Sequence, residues 1–406
     1  MEVSRHRKKV GCACLWLLFS PGILLAQPLT EERSIELALA QKNFTHLLDS
    51  QLEQAQGDIL SAKNWRNPEV ELSRQEVGDE TETEFWIYQQ FDLSGKRRLV
   101  QQSTRVKLAA AESLVALQRL ERVYETRHHF YQALFHQRQK KIYAHWVDKF
   151  TEVEQATTKR EAAGDVSGYD RRRISREQVS LIAKQREAET EFNVTLVLLM
   201  GAIGQQAVNE LEGTLIPDEQ PALEVFLPGV TQHPFLLSLQ QQSDASRLSA
   251  DAVAKAHIPD LTLGIGQKNF DGPGGSESGF MISASIPLPI FDRKQGERLQ
   301  ARARTHQLES EYQLALQQAK AEISASWHKA NQSRENARLF SEQSVTTSFE
   351  LVRIAETSYY ASEIGVLELI DAYRSALDAE MTASELAYEA RLARIQLDKM
   401  IDGVQQ

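Results

Sequence analysis

The sequence FMISASIPLPIFDRKQG, residues 280–296, combines both kinds of secondary structure expected along this chain. Every second residue from 280 to 286 is apolar, which predicts a β-strand with one apolar face. Pro287 and Pro289 lack the backbone N–H that strand pairing needs, so we expect the pairing to end there. A long helix is predicted to follow, over about residues 294–361. The segment therefore indicates a protein in which short strands lead directly into long helices.

The helix predicted over 294–361 has a regular apolar repeat. Its apolar residues recur at steps of three and four that average about 3.67 residues, an 11-residue repeat that keeps one face aligned along a long helix. At about 1.5 Å per residue the helix would be roughly 100 Å long, which is longer than a globular core can use. The repeat is formed by Leu308, Tyr312, Leu316, Ala319, Ile323, Trp327 and Ala330.

The same order of elements is predicted twice along the chain. Each half begins with a polar helical stretch, continues through two strands joined by a glycine-containing loop, and then forms a long helix and a returning helix. We therefore predict a first repeat at 27–213 and a second at 214–406. The strands are predicted at about 68–77, 83–93, 259–269 and 279–290, the long helices at 96–162 and 294–361, and the returning helices at 168–200 and 366–401.

The composition excludes several classes of protein. The chain has 406 residues, of which 42% are hydrophobic and 25% charged, so it is neither a disordered nor a collagen-like chain. Its net charge of −10 argues against a nucleic-acid-binding protein, which would carry a basic surface. Two cysteines cannot form a disulfide scaffold or a cysteine-rich zinc site. A helical protein is the class that the composition favours.

The first residues predict export from the cytoplasm. Four basic residues precede an apolar run that ends at Ala26, which is the layout of a secretory signal peptide, so residues 1–26 are expected to be removed. Removal leaves 42 basic and 55 acidic residues, a net charge of −13, and no cysteine, because Cys12 and Cys14 both lie in the removed segment. No later stretch has 18 consecutive apolar residues, so an α-helical membrane span is not expected.

Two architectures are compatible with these patterns. Long amphipathic helices alone are typical of a coiled-coil or spectrin-like scaffold without a pore. Two hairpins at matching points of the two halves favour a second architecture, because an isolated hairpin is marginally stable in water. Strands with one apolar face in an exported protein can pair with strands of other copies into a closed barrel, the β arrangement that can span lipid.

Two segments carry a resemblance to a known family. They are QFDLSGKRR at 90–98 and IPLPIFDRKQG at 286–296, each between a predicted strand and a predicted long helix. With the doubled plan, they make the chain similar to the TolC-type outer-membrane efflux proteins over essentially its whole mature length. The chain is most similar to the CzcC-like heavy-metal branch of that family. The first segment differs from the family pattern in having Ser94 where a glycine is usual.

The resemblance implies a fold and a function. The fold would be mainly α with a small β part: a trimer in which each chain gives four strands to a 12-strand transmembrane β-barrel, above a periplasmic tunnel of long helices. The protein would be a passive conduit in the outer membrane of a Gram-negative bacterium. It would bind a periplasmic adaptor protein and, through it, an inner-membrane pump of the RND type. Divalent heavy-metal cations are the expected cargo, and drugs or secreted polypeptides are the alternative.

The resemblance also places a gate and a docking surface at the periplasmic end. Glu368 and Asp371 match the acidic residues that narrow the tunnel entrance in the family, and their spacing of three puts them on one helical face. In a trimer they would form a ring of six carboxylates that favours cations. The alternative is that they only complement the helix dipole. The residues expected to contact the adaptor are Gly164, Asp165, Val166, Ser362, Glu363 and Ile364.

A further group of residues is expected at the junction between barrel and tunnel. Its prolines would end strand pairing, and Asp292 would accept hydrogen bonds from the first turn of the following helix. Its basic residues would ring the inner rim of the barrel, contact anionic lipid headgroups, or be ordinary solvated charges. The group comprises Pro68, Gly95, Lys96, Arg97, Pro259, Pro287, Pro289, Phe291, Asp292 and Arg293.

The sequence predicts no catalytic, cofactor or metal site. His128, His129, His136 and His145 lie on one predicted helix, but their spacing does not bring two of them onto adjacent turns of one face. The glycines from 272 to 279 follow a strand without opening a helix, so they form no phosphate-binding loop and instead indicate an exposed hairpin loop. The protein is therefore not expected to be an enzyme.

Overall fold

The computed structural model describes residues 28–208 and 210–402. The predicted signal peptide, residues 1–26, lies outside this part of the chain. The described residues form nine α-helices and four strands. In chain order they are α1 Glu31–Leu39, α2 Lys42–Lys63, β1 Glu69–Val77, β2 Glu80–Phe91, α3 Lys96–Ala163, α4 Gly168–Ile203, α5 Leu223–Phe226, α6 Pro234–Lys255, β3 Leu261–Gly272, β4 Gly275–Ser285, α7 Gln295–Phe340, α8 Thr346–Tyr360 and α9 Val366–Ile401.

The long helices lie where the apolar repeats predict them. Helix α3 has 68 residues and is therefore about 100 Å long. Helices α7 and α8 form a second rod of similar length, interrupted only by one π-helical turn at Ser341–Val345 that was not predicted. A 3-10 turn at Leu227–Gln232 precedes α6. In the described part of the chain, no helix has the long, nearly uncharged apolar segment needed to cross a bilayer.

The four strands form one antiparallel sheet in the order β1-β2-β3-β4. The helices next to the sheet follow the same order, since α2 contacts α3, α3 contacts α6, and α6 contacts α7. Each helix therefore continues the line of one strand: α2 leads into β1, β2 into α3, α6 into β3, and β4 into α7. Strands β1 and β4 and helices α2 and α7 are thus the two lateral edges of the chain.

Three clusters of buried apolar side chains hold the helices together. One lies at mid-height, where α1, α3, α4 and α9 meet around Phe130 and Leu199. A second joins α3, α4, α8 and α9 below it, around Trp146 and Tyr373. A third packs α7 and the end of α9 against the segment around Phe226. The core is therefore a long helical seam.

The strand boundaries differ from those predicted. Strand β2 begins at Glu80 and not near 83, and β4 spans Gly275–Ser285 and not 279–290. The glycine-rich stretch is consequently no exposed loop, because Ser276 and Ser278 pair with β3 and only a tight turn separates Gly272 from Gly275. Polar residues at the hairpin ends pair through their backbones, which an apolar pattern does not detect. Strand β3 likewise runs to Gly272, three residues beyond the predicted end.

Candidate functional site: the two-faced sheet and the helical tips

One face of the sheet carries an apolar patch in the half nearer the helices. Val70, Ile87, Ile265 and Ile282 stand opposite one another in register and form a row across all four strands. Each of these side chains is exposed, from 37% for Ile87 to 87% for Ile282. An exposed apolar patch that crosses a whole sheet is expected to contact lipid or another protein. The neighbouring rows of this apolar face add Leu72, Phe85, Leu263, Phe280 and Ala284.

The opposite face of the sheet is acidic. It carries six carboxylates and, among the described sheet residues, a single basic side chain, that of Lys268. The Lys268 ammonium lies 2.8 Å from a carboxylate oxygen of Glu82 and 3.4 Å from one of Glu84. The acidic face therefore has five net negative charges. Its carboxylates are those of Glu69, Glu71, Glu80, Glu82, Glu84 and Glu277.

Two aromatic rings lie flat on the acidic face. Trp86 and Tyr88 stack on each other with ring centroids 5.5 Å apart and planes 12° apart. Each ring occupies the space above a glycine of β3, since a Cβ at Gly266 or Gly264 would lie 2.6 Å from ring atoms of Trp86 or Tyr88. The Trp86 indole N–H donates to Glu84 over 3.2 Å. The rings thus cover the backbone of β3 without projecting from the face.

This acidic face was missed in the sequence-based prediction. A signal for it exists, because β2 has Glu80, Glu82 and Glu84 at every second position. The predicted start of the strand at residue 83 removed two of the three from consideration.

The first junction between sheet and helix is closed by Asp92. Its carboxylate accepts hydrogen bonds from the backbone N–H of Ser94 and of Arg97, each over 2.9 Å. Gly95 has φ +70°, the left-handed conformation that glycine adopts without strain, and α3 begins at the next residue. Pro68 directly precedes β1. Lys96 forms an ion pair of 2.6 Å with Asp260, the residue that follows Pro259 at the start of β3.

The second junction is built differently, and the prediction for Asp292 is wrong. Asp292 accepts the backbone N–H of Lys294 over 2.8 Å, but no side chain among the described residues caps the first turn of α7. Lys294 itself has the left-handed φ of +61°. The helix begins three residues after Asp292 but four after Asp92, so the N–H groups lie in different positions relative to the carboxylate. Pro287, Pro289, Phe291 and Arg293 lie between β4 and α7, where Phe291 is 92% exposed.

The structure brings the two helical tips together. Gly164, in the α3–α4 turn, and Ser362, in the α8–α9 turn, both have left-handed φ angles, +85° and +61°. Arg160 bridges the turns by donating to the backbone oxygen of Tyr359 over 3.1 Å and to the Ser362 hydroxyl over 2.8 Å. Asp165, Val166, Glu363 and Ile364 lie in the same two turns.

The two acidic residues predicted at the gate lie just above the second tip. Glu368 and Asp371 are exposed on the first two turns of α9. They line a shallow groove of about 340 Å³ with Leu351 and Ile354 of α8. Within the described residues, neither carboxylate takes part in an ion pair.

A buried carboxylate joins α4 to α9 one turn further up. Glu177 lies 2.5 Å from the Arg374 guanidinium and 2.7 Å from that of Arg176. Burial opposes ionisation of Glu177, but hydrogen bonds from Arg374 and Arg176 outweigh it and hold the pKa below its ordinary value of 4.5. This contact was not predicted from the sequence, since nothing in the local pattern pairs residues almost 200 positions apart.

Two of the histidines of α3 lie side by side. His128 and His129 have ring centroids 6.0 Å apart, and burial lowers the pKa of His128. Among the described residues, no group of three or more histidine, cysteine, aspartate or glutamate side chains is arranged to hold a metal ion.

Comparison with known proteins gives a family, a sequence relative and a fold. The family model described as "Outer membrane efflux protein" matches residues 230–403. The chain is 22% identical over 383 residues to the cobalt-zinc-cadmium resistance protein CzcC of Cupriavidus metallidurans. The alignment covers 93% of this chain and 90% of that protein.

Solved structures of outer membrane proteins share the fold. The MtrE outer membrane channel of Neisseria gonorrhoeae, in its open state, has a TM-score of 0.76 at 16% identity, covering 91% of this chain and 88% of that one. The outer membrane protein VceC of Vibrio cholerae has a TM-score of 0.74 at 17% identity, covering 91% and 95%. These matches confirm the fold class and the resemblance carried by residues 90–98 and 286–296. Residues 230–403 thus match the outer membrane efflux protein family, and the chain as a whole is similar to CzcC in sequence and to outer membrane channels in fold.

Proposed function

We propose that this outer membrane efflux channel component carries divalent heavy-metal cations and works as part of a tripartite system. The observation that supports the cargo is the acidic face of the sheet, with five net negative charges in each chain. A pore lined by carboxylates concentrates cations and repels anions. The relative CzcC, whose name records resistance to cobalt, zinc and cadmium, supports the same cargo.

We propose a homotrimer as the functional assembly. The sheet has unpaired edge strands in β1 and β4, and an exposed edge strand readily pairs with another chain. The helical edges match the strand edges, because α2 carries exposed Leu47 and Leu60 while α7 carries exposed Leu299 and Leu314. Three chains joined edge to edge give 12 strands, an even number that closes a membrane barrel.

In this assembly the two faces of the sheet have opposite surroundings. The apolar face contacts lipid, and the acidic face lines the water-filled lumen, as the alternation of a transmembrane barrel requires. The helical part continues the lumen through the periplasm. Because the protein has no energy source of its own in this scheme, the inner-membrane pump of the RND type supplies the driving force.

At the periplasmic end, Glu368 and Asp371 are proposed to form the gate and the two tips to contact the adaptor. Both carboxylates are exposed, and each trimer would carry six of them at the entrance. The tips are supported as a docking surface by their position at the far end of the helices and by the Arg160 bridge that holds the two turns at a fixed distance.

The cargo is tested by growth of a deletion strain. Loss of the gene should lower the tolerated concentrations of cobalt, zinc or cadmium severalfold, and the intact gene should restore them. Restoration should be weaker with Glu71→Gln/Glu84→Gln, which removes two of the six carboxylates of the acidic face, than with Glu76→Gln, which changes an acid on the other face. Sensitivity to dyes or detergents without any change in metal tolerance would overturn the proposed cargo.

The gate is tested by single-channel recording. Glu368→Gln/Asp371→Asn should reduce the cation preference of the purified trimer and change its unitary conductance. The control is Glu389→Gln, an exposed acid on the same helix about 27 Å from Asp371. Equal conductance and equal cation preference in the wild type and the double variant would remove the gate from the proposal.

A further inference from the structure

A cleft of about 810 Å³ lies at the first junction between sheet and helices. It is bounded by the segment that follows α2, by the first turns of α3, and by the end of α6. Its apolar lining includes Val100, Ala252 and Val253. This cleft has no part in the conduit, gate or docking surface described above.

The cleft has an excess of positive charge. Four basic residues line it, against the two carboxylates of Asp92 and Asp260. Both carboxylates are already used, since Asp92 closes the junction and Asp260 pairs with Lys96. The other three basic residues have no carboxylate partner within the described part of the chain. They are Arg66, Arg97 and Arg98.

Arg97 is held in place but keeps free hydrogen-bonding capacity. Its guanidinium lies 4.3 Å from the ring centroid of Trp65 and donates to the backbone oxygen of Lys63. Beyond that bond, the guanidinium has no hydrogen-bond acceptor within the described residues. A fixed guanidinium with a free donor is suited to a phosphate oxygen, which guanidinium groups bind by paired, charge-assisted hydrogen bonds.

The cleft borders the apolar face on the side of Trp65, whereas Gln90 on its other side belongs to the acidic face. Trp65 is 61% exposed and packs edge-on against Phe91, with ring centroids 6.2 Å apart. Phe91 ends β2 and pairs with Leu261 in the last apolar row of the sheet. Tryptophan concentrates at the boundary between the hydrocarbon and the headgroups of a membrane, where one edge of its ring is wet. The basic residues beside Trp65 therefore stand at headgroup level.

We propose that this cleft binds the phosphate of an anionic phospholipid from the periplasmic leaflet of the outer membrane. Arg97 and Arg98 donate to the phosphate oxygens, and Arg66 adds positive charge at the rim. Trp65 and the apolar lining contact the glycerol and the first carbons of the acyl chains. The proposal rests on the proposed placement of the apolar face in the bilayer.

The second junction provides a matched control. Arg293 lies two residues before α7 and is exposed, whereas Arg97 and Arg98 lie in the first turn of α3. Lys294 beside Arg293 is paired with Asp292 at 3.2 Å and with Glu297 at 2.9 Å. The segment from 286 to 296, which contains Arg293, has no tryptophan. An effect of general surface charge would be shared by the two junctions, whereas the proposed site exists only at the first.

Native mass spectrometry of the detergent-solubilised trimer tests the proposal. Phosphatidylglycerol should be retained about tenfold more strongly than phosphatidylcholine, and inorganic phosphate should not compete at equal concentration. Arg97→Gln/Arg98→Gln should lose this preference, and Arg293→Gln should keep it. Because Arg97 also contacts α2, Arg98→Gln alone is included, and it should lose part of the preference while the yield of trimer stays unchanged.

Three results would overturn the lipid site. They are equal retention of the two lipids by the wild type, an unchanged preference in both arginine variants, and efficient competition by inorganic phosphate, which would indicate a soluble anion as ligand. The measurement involves no cation passage. A trimer that binds phosphatidylglycerol but gives no metal tolerance would therefore contradict the proposed cargo alone.

Discussion

Trp86 and Tyr88 can lie flat on the sheet only because Gly266 and Gly264 stand opposite them. A methyl group at either glycine would meet the ring at 2.6 Å, below any normal contact distance. The two glycines are therefore required by packing, and not by backbone conformation, since neither has a positive φ. Because each large ring lies over a residue that has no side chain, neither ring projects from the acidic face.

Gly266→Ala should consequently lower the stability of the sheet by about 1–3 kcal/mol, because the Trp86 ring must move or the strands must separate. The yield of heat-resistant trimers on gels and the tryptophan fluorescence both report this change. Gly279→Ala is the control, because a Cβ at that position of β4 meets no atom within 4 Å. Equal trimer yields for the two variants would contradict the packing role of Gly266.

Glu177 makes a prediction about stability and pH. Glu177→Gln should destabilise the protein by about 1–3 kcal/mol near neutral pH, because Arg374 loses its ionised partner. The folded-state pKa of Glu177 is lowered, so its ion pairs stabilise the protein above the ordinary pKa of the carboxyl group and this contribution is lost as the pH falls through the lowered value. The difference in thermal midpoint between wild type and variant should therefore shrink below about pH 4.

The matched control is Glu189→Gln on the same helix. Glu189 pairs with Lys140 at 2.8 Å, but its side chain is 51% exposed, so its loss should cost much less stability than the loss of Glu177. A Glu177 variant as stable as the Glu189 variant at neutral pH would show that the buried Glu177 carboxylate contributes no more stability than an exposed ion pair does.

Residue-level chemistry was predictable where it depends on near neighbours. Prolines 68, 259, 287 and 289 do stand just outside the strands, since a missing N–H acts locally. The cap by Asp292 was wrong because one residue of difference in the turn moves the helix start. The Glu177–Arg374 pair depends on packing between distant segments, which no local pattern records.

At the scale of elements, the returning helix α9 packs by a regular seven-residue repeat. Its buried positions advance by three and four residues in the seven-residue pattern of a left-handed supercoil. Many of them are alanines, which let neighbouring helices approach closely but give a weak hydrophobic pattern in the sequence. The buried positions of this repeat include Val366, Leu369, Tyr373, Ala376, Ala383, Ala387 and Ala390.

Leu369→Ala tests this seam. Leu369 is fully buried in the cluster around Trp146 and Tyr373, so its truncation should cost about 2–5 kcal/mol and lower the thermal unfolding midpoint. Leu367→Ala, on the same turn, removes a side chain that is 50% exposed and should cost less than about 1 kcal/mol. Both residues lie next to the tip, so any effect on docking is shared. Equal losses would show that α9 does not pack through the face described here.

The long helices and the hairpins were predictable because large apolar side chains recur in them at the periods of a helix and a strand, near 3.6 and 2 residues. The strand ends were not, because Ser276, Ser278 and Glu80 pair through backbone groups without an apolar signal. The π turn at Ser341–Val345 leaves the apolar repeat almost unchanged and was therefore invisible. The division of the chain into repeats at 213 and 214 stays a prediction.

At the scale of the whole molecule, the strands and the helices next to them follow the same order. The described part of the chain is therefore a single layer with two lateral edges, formed by β1 with α2 and by β4 with α7. Such a layer leaves an apolar face exposed and gathers carboxylates on the other. In the proposed trimer, closure with two further copies would place each face in the medium that suits it. The acidic face would then line the lumen and make the conduit selective for cations before any gate acts.

The most direct test of this account is the reversal potential of the purified trimer in a planar bilayer under a potassium chloride gradient. The wild type should give a reversal potential with the sign of cation selectivity. Neutralising Glu71, Glu82 and Glu84 to glutamine should move it most of the way to zero, whereas Glu76→Gln should leave it unchanged. An anion-selective wild type, or a cation selectivity that survives the triple substitution, would contradict the assignment of the acidic face to the lumen.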